Sequence, residues 1–168
     1  MRITTNATTK MLTNAVVGEL VKVLQDGAQA YGVVLQKEGT SPRVGFLEGT
    51  DAAYGVLKLK TFSSEATCLS LGREWVLDPI IFSSFAPGNW RKLIPGCIYC
   101  DGAALKFMLT EHSEGQDIPR WIDLRTMEAT SKPAESAAII VKTGIWENEE
   151  KFVKYPGNPL FLLQEMTK

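Results

Sequence analysis

Short runs of alternating apolar and polar residues, cut by tight-turn sequences, recur along this chain and restrict the folds open to it. In Glu19–Leu24 the side chains of Val21 and Val23 fall on one face, and the Asp26-Gly27 that follows is a strong hairpin signal. The same alternation predicts further strands at residues 31–36, 43–47, 54–60, 74–77, 91–94, 97–100, 104–110, 119–124, 137–142 and 160–165. Closely spaced strands joined by such turns are typical of antiparallel sheets.

Helical signals are few. Ser131–Ser136 is the best candidate for a turn of helix, because Pro133 suits a first helical position and Ala134 and Glu135 are good helix formers. No amphipathic segment longer than about two turns is present. The sequence therefore predicts an all-β fold, or a β-rich fold with one or two short helices, arranged as a small antiparallel barrel or sandwich built from hairpins.

The domain organisation follows from changes in this pattern along the 168 residues. Residues 1–14 are polar and threonine-rich, which predicts a flexible N-terminal arm or, alternatively, an ordered arm lying on a neighbouring subunit. Residues 15–62 read as a small β-barrel or meander, and residues 63–168 as a second β region. The sequence leaves open whether these two regions share one core.

Composition argues against several functional classes. The formal net charge is −1 and the lysines and arginines are scattered, whereas a nucleic-acid-binding surface usually leaves a basic footprint. No apolar stretch approaches the roughly 18 residues of a membrane span, and the first ten residues lack the apolar segment of a secretory signal. Three cysteines fit a reducing compartment better than a disulfide framework.

The cysteines and the single histidine offer two chemical alternatives. Cys97 and Cys100 form a C-x-x-C pair, but on a strand these positions point to opposite faces, which disfavours redox chemistry. Adding Cys68 and His112 gives a set that could hold zinc, although its spacing is looser than in structural zinc sites. We therefore predict no metal and no cofactor.

Catalytic signatures are also weak. His112 lies in a polar loop without a nucleophile elbow, and the sequence has no glycine-rich phosphate-binding motif. Four acids lie near strand ends, where carboxylates are usually turn residues, although a pair of them acting on a glycoside stays an alternative: Asp78, Asp101, Asp117 and Asp123. The prediction is that the protein is not an enzyme.

Aromatic and apolar side chains are the remaining candidates for function, because exposed tryptophan and tyrosine often anchor interfaces. We expect Trp75 and Trp121 to be core residues. The predicted contact surfaces are the N-terminal arm and the following interface residues: Trp90, Trp146, Tyr31, Tyr54, Leu160, Phe161 and Leu162.

The order of the β segments resembles that of small β-barrel virion proteins of phages. Val17–Lys22, Ala30–Val34 and Pro42–Leu47 resemble the opening hairpin of those proteins, and Leu93–Asp101 resembles a strand of tail-fibre and head-decoration proteins. The polar strand and the final strand that follow in that family correspond here to Gly102, Leu109-Thr110 and Pro119–Leu124.

This resemblance implies a virion structural protein, either a capsid decoration protein or a tail- or fibre-associated subunit. Such a protein forms a homo-oligomer, often a trimer, docks on capsid or tail proteins, and is assembled in the host cytoplasm before it resides in the virion. No catalytic residue is implied. The alternative is a monomeric SH3-like or carbohydrate-binding β module that uses Tyr31, Tyr54 and exposed tryptophans.

Overall fold

The computed structural model describes residues 7–25, 27–38, 41–47, 58–80, 85–86, 97–140 and 142–164. Most of these residues lie in strands, so the β-rich fold class is confirmed. Six strands make up the first part: β1 (Thr8–Met11), β2 (Leu20–Gln25), β3 (Ala28–Glu38), β4 (Ser41–Phe46), β5 (Lys58–Thr61) and β6 (Thr67–Gly72). A short 3-10 helix at Leu12–Asn14 follows β1 directly.

Nine more strands and one short helix follow in the described residues. They are β7 (Val76–Pro79), β8 (Phe85–Ala86), β9 (Ile98–Asp101), β10 (Ala104–Ser113), β11 (Gln116–Asp123), β12 (Glu128–Thr130), β13 (Ala138–Ile140), β14 (Lys142–Trp146), α1 (Glu149–Lys154) and β15 (Phe161–Gln164).

The hairpins form where the turn residues predict them. Gln25 of β2 pairs with Ala28 of β3, and Gly27 just before Ala28 has a φ of +85°, which a glycine adopts without strain. β6 then returns to the start of the chain and lies between β1 and β2, giving the strand order β1-β6-β2-β3-β4-β5. The sequence pattern did not predict β6.

One long strand, β10, joins the two halves of the molecule. Residues 104–107 pair with β9, and residues 106–113 pair with β11 on the other side. Thr110 and Glu111 lie beside Lys58 and Leu59 of β5 in parallel. The result is one 12-stranded sheet, whose described strands end at β1, at β8 and, on a branch from β10, at β12, and do not close on themselves. The barrel alternative and a purely antiparallel arrangement are therefore wrong. Strands from the regions before and after residue 62 pair with each other in this sheet.

A second sheet, with the order β15-β14-β7, packs on one face of the large sheet. The main core, which we define as the cluster containing Leu20, Val33, Phe107, Ile145 and Leu163, contains side chains from both sheets. The opposite face of the large sheet carries two further clusters, one around Val21, Val34 and Phe46 and one around Tyr99 and Trp121. Neighbouring residues such as Leu20 and Val21 thus belong to different clusters, as period-two alternation requires.

The N-terminal arm prediction requires correction for residues 8–14. β1 pairs with β6 along its whole length, and the Leu12 amide donates to the Ala66 carbonyl at 2.7 Å. The Leu12 side chain is 0% exposed and lies in the cluster with Val21 and Phe46. One buried leucine therefore fixes a polar segment to the chain's own sheet. Residues 1–6 lie outside the described residues.

The helix prediction at Ser131–Ser136 is wrong. This segment is a loop with a turn at residues 135–136, and the Ala134 amide donates to the Asp101 carboxylate at 3.2 Å instead of joining a helix. The α-helix of the described residues begins after Asn148, whose side chain accepts a hydrogen bond from the Lys151 amide at 2.9 Å. An asparagine at that position is a strong N-cap, and it was the available sequence signal.

Candidate functional site

The seven predicted interface residues differ in their location and in their exposure to solvent. Trp90 and Tyr54 lie outside the described residues. Leu160 and Phe161 are half-buried, and Leu162 is 42% exposed on the outward side of β15. Trp146 is only 2% exposed, which corrects the expectation that its indole lies at the surface.

Trp146 anchors α1 to the small sheet. Its ring lies over Gly144, where a Cβ atom would collide with it, and meets Phe152 edge-on at 5.1 Å between centroids. The indole Nε1–H donates to the Tyr155 carbonyl at 3.2 Å. The polar residues that follow Trp146 lead into α1, and this helix covers the indole. Polar neighbours in the sequence therefore do not indicate that Trp146 itself is exposed. Of the two tryptophans predicted to be core residues, Trp121 is buried, with 7% of its surface exposed. Trp75 is only half-buried, at the margin of the main core.

Tyr31 and Phe161 are brought together by the fold. Their rings stack with 5.1 Å between centroids and an interplanar angle of 15°, and the Lys22 ammonium lies 4.8 Å from the Tyr31 centroid. Tyr31 belongs to the large sheet and Phe161 to the small one, so this stack joins the two sheets beside the main core. Because Phe161 covers the Tyr31 ring, that ring is not available to line an open aromatic groove.

An apolar surface continues from this stack towards the β1 edge. Met11 lies opposite Thr67 of β6, and Thr67 shares a face with Leu69 two residues on. Leu69 in turn lies opposite Lys22 of β2, which shares a face with Leu24. These three apolar side chains are therefore on the face of the large sheet that carries the main core. Met11 is 52% exposed, Leu24 65% and Leu69 39%. We call Met11, Leu24 and Leu69 the apolar edge patch.

The patch borders a strand edge. β1 is the first strand in the order of the large sheet, and in the described part of the chain its outer side has no strand partner. An edge strand presents backbone N–H and C=O groups that can pair with another chain. Sequence reasoning missed this site because β6, which carries Leu69 between Met11 and Leu24, was not predicted.

A buried ion pair lies directly behind the patch on the opposite face of the sheet. The Lys10 ammonium is 2.8 Å from the Glu19 carboxylate, and Ser70 Oγ donates to the same carboxylate at 2.9 Å. The Glu19 side chain is only 9% exposed. This pair fixes β1, and with it Met11, against β6 and the segment that precedes β2.

The cysteines do not form a shared site. Cys97 belongs to the cluster with Tyr99 and Trp121, Cys100 packs against the main core, and Cys68 lies in the cluster with Val21. Opposite faces for the C-x-x-C pair are therefore confirmed, and within the described structure none of the three cysteines forms a disulfide. Burial raises the pKa of Cys68 and of Cys100, which disfavours the reactive thiolate form. Within the described ranges, no three His, Cys, Asp or Glu side chains are grouped to hold a metal.

His112 and three of the acids considered for catalysis have local partners. His112 is exposed in the β10–β11 hairpin with its Nδ1 2.9 Å from Asp117. Asp101 accepts from Lys106 at 2.7 Å, and Asp123 accepts from the Arg125 amide at 2.8 Å. The Lys106 hydrogen bond is the main reason that the pKa of Asp101 is lowered. Asp78 lies on β7 of the small sheet, where it pairs with Gly144 of β14.

A cavity of about 330 Å³ opens at one margin of the main core. Four chain segments line it: the loop before β2, the connection from β6 into β7, the start of β10 at Leu105, and the turn between β11 and β12. Its walls combine aliphatic side chains with the Trp75 indole and two arginines, Arg73 and Arg125. No local sequence signal marks this site, since its segments are far apart in the chain.

The part of the chain that the structure describes has no helix with the length and apolarity needed to span a bilayer. Comparison of the chain with protein-family models, curated proteins and solved structures found no match.

Proposed function

We propose that this chain is a structural subunit of a larger assembly, and that it is a virion protein of phage type located on the capsid or the tail. The observation that carries the assembly function is the apolar edge patch beside β1. The assignment to a virion is supported by the sequence resemblance of residues 16–125 to small β-barrel phage proteins, described above.

The patch favours contact with a second copy of the same chain. Two β1 strands can pair antiparallel about a two-fold axis, and the patch residues of both copies then lie along one continuous face. Removing a leucine side chain from water contributes roughly 1.5–3 kcal/mol. The net charge of −1 gives little electrostatic repulsion between copies.

Sedimentation analysis of the full chain and of patch variants tests this proposal. The wild-type chain is expected to sediment as an oligomer at micromolar concentration, and Leu24→Glu or Leu69→Glu is expected to weaken association at least about tenfold. Val153→Glu is the matched control, because Val153 is 70% exposed but lies on α1. A wild-type chain that stays monomeric would refute self-assembly, and so would equal effects of all three substitutions.

The virion assignment has its own test. Genes for a portal protein, a capsid maturation protease or a major capsid protein are expected beside the gene for this chain. An operon of unrelated metabolic genes would contradict the assignment and leave the assembly proposal intact.

A monomeric binding module is the second candidate function, and the cavity at Trp75 favours it. The groove predicted from Tyr31 and Tyr54 receives less support, because Tyr31 stacks on Phe161 and Tyr54 lies outside the described residues. A monomeric chain that binds a ligand at Trp75 would favour this candidate over assembly.

A further inference from the structure

The cavity at Trp75 has a wall chemistry that selects for one kind of ligand. Beside a substantial polar wall surface, its lining includes five apolar side chains: Val17, Leu77, Leu105, Leu124 and Met127. Trp75 adds a half-buried aromatic ring to this lining. Its volume of about 330 Å³ lies at the low end of small-molecule sites, which range from about 300 to 1,000 Å³. The cavity therefore suits a small ligand that has both an apolar part and a polar group.

Two of the polar residues that line the cavity are cationic. Arg73 and Arg125 both line it and both are exposed residues. Across the described residues, neither guanidinium forms an ion pair, whereas Arg43 and Arg120 both bind the Glu111 carboxylate. Guanidinium groups bind carboxylates through paired hydrogen bonds. The two arginines are thus available for an anion brought in with the ligand.

The cavity is held in shape before any ligand arrives. The Trp75 indole Nε1–H donates to the Gly18 carbonyl at 2.8 Å, which fixes the ring against the loop before β2. The turn that carries Arg125 is fixed by two contacts to Asp123, one from the Arg125 amide at 2.8 Å and one from the Met127 amide at 2.7 Å. A preformed site of this kind loses little conformational entropy on binding.

We propose that the Trp75 cavity binds a small organic carboxylate, with its apolar body against Trp75 and the aliphatic walls and its carboxylate between Arg73 and Arg125. Inorganic phosphate fits less well, because it has no apolar part for these walls to contact. The site lies on different residues from the apolar edge patch, so this inference does not depend on self-assembly.

Titration with phenylacetate and with its neutral analogue phenylacetamide tests the proposal. The amide resonances of the ¹⁵N-labelled full chain and the indole N–H signal of Trp75, assigned with Trp75→Phe, report where each compound binds. Phenylacetate is expected to shift the Trp75 signal with a dissociation constant below about 1 mM. Phenylacetamide is expected to bind at least about tenfold more weakly, because the guanidiniums gain no charged acceptor from it. Inorganic phosphate at the same concentration is expected not to displace phenylacetate.

Three variants separate the arginines from general effects of charge. Arg73→Gln and Arg125→Gln are each expected to weaken phenylacetate binding about tenfold or more. Lys154→Gln removes the same charge from α1, outside the cavity, and is expected to leave the affinity unchanged. Equal binding of the acid and the amide would overturn the proposal, as would shifts confined to other residues, displacement by phosphate, or no binding at millimolar concentration. Amide spectra like that of the wild type establish that each variant is folded.

Discussion

The Lys10 ammonium and the Glu19 carboxylate lie 2.8 Å apart and join the first strand of the chain to the segment before β2. The Glu19 side chain is 9% exposed and that of Lys10 26% exposed, so most of this ion pair is removed from water. A buried charge is tolerated when it is paired and hydrogen-bonded, and Ser70 supplies the further hydrogen bond. The pair therefore adds to the β6 pairing and the buried Leu12 side chain that hold β1 on the sheet.

Lys10→Met is expected to destabilise the fold by about 2 kcal/mol, because it leaves the Glu19 carboxylate buried without its cation. Urea denaturation gives the free energy of unfolding, and hydrogen exchange is expected to show faster exchange in β1 than in β3. Lys154→Met on exposed α1 is the control and is expected to change stability little. Adding Glu19→Gln to Lys10→Met should recover part of the loss, and a fully additive double variant would contradict a direct interaction.

Gly144→Ala is expected to cost about 1–3 kcal/mol, because a Cβ atom there collides with the Trp146 ring and forces it off α1. The matched control is Gly157→Ala, since a Cβ at Gly157 meets no atom within 4 Å. Thermal unfolding measures both changes, and tryptophan fluorescence is expected to move to longer wavelength in the first variant alone. Similar stabilities of the two variants would show that the Gly144–Trp146 contact is not a constraint.

Thr143→Val is expected to leave stability unchanged or to raise it by up to about 1 kcal/mol. The Thr143 side chain is buried in the described structure without a hydrogen-bond partner for its Oγ1, and valine has nearly the same shape. Ser70→Ala is the contrasting change, because Ser70 is also buried but its hydroxyl binds Glu19. Denaturant midpoints for both variants check this prediction. A clear loss of stability in Thr143→Val would mean that the hydroxyl has a function.

The Asp101 carboxylate is expected to make stability depend on pH in the acidic range. Hydrogen bonds from Lys106 and from the Ala134 amide lower its pKa in the folded state, so its contribution is complete above the unfolded value of about 3.9 and is lost as pH falls through the lower folded value. Asp101→Asn is therefore expected to be less stable than the wild type at neutral pH, with a difference that shrinks below about pH 4. A difference that does not vary with pH would refute the assignment.

Local signals explain which parts of the fold could be predicted. The hairpins at Gly27 and Gly102 follow from Asp-Gly turns, and both glycines have positive φ. Opposite faces for Cys97 and Cys100 follow from the period of a strand. Such features depend on residues close in sequence, and the structure reproduces them.

The remaining features depend on contacts between distant segments, which local periodicity does not encode. The insertion of β6 beside β1 and the parallel pairing of β5 with β10 are of this kind. Burial of Trp146 under α1 could have been predicted from Asn148, because that residue is a strong N-cap. That Arg73 and Arg125 line the same cavity could not have been predicted from local sequence. The candidate sites were therefore less predictable than the strands that carry them.

The position of β6 also sets the order of events during synthesis. β2 lies in the middle of its half of the sheet, yet one of its two neighbours is not made until the ribosome has passed Gly72. Until then, the backbone N–H and C=O groups on the outer side of β2 have no partner in the nascent β2–β3 hairpin. β1 also has no neighbouring strand with which to pair. Early translation products are thus exposed to pairing with one another, and a slow ribosome over residues 26–72 would lengthen that exposure.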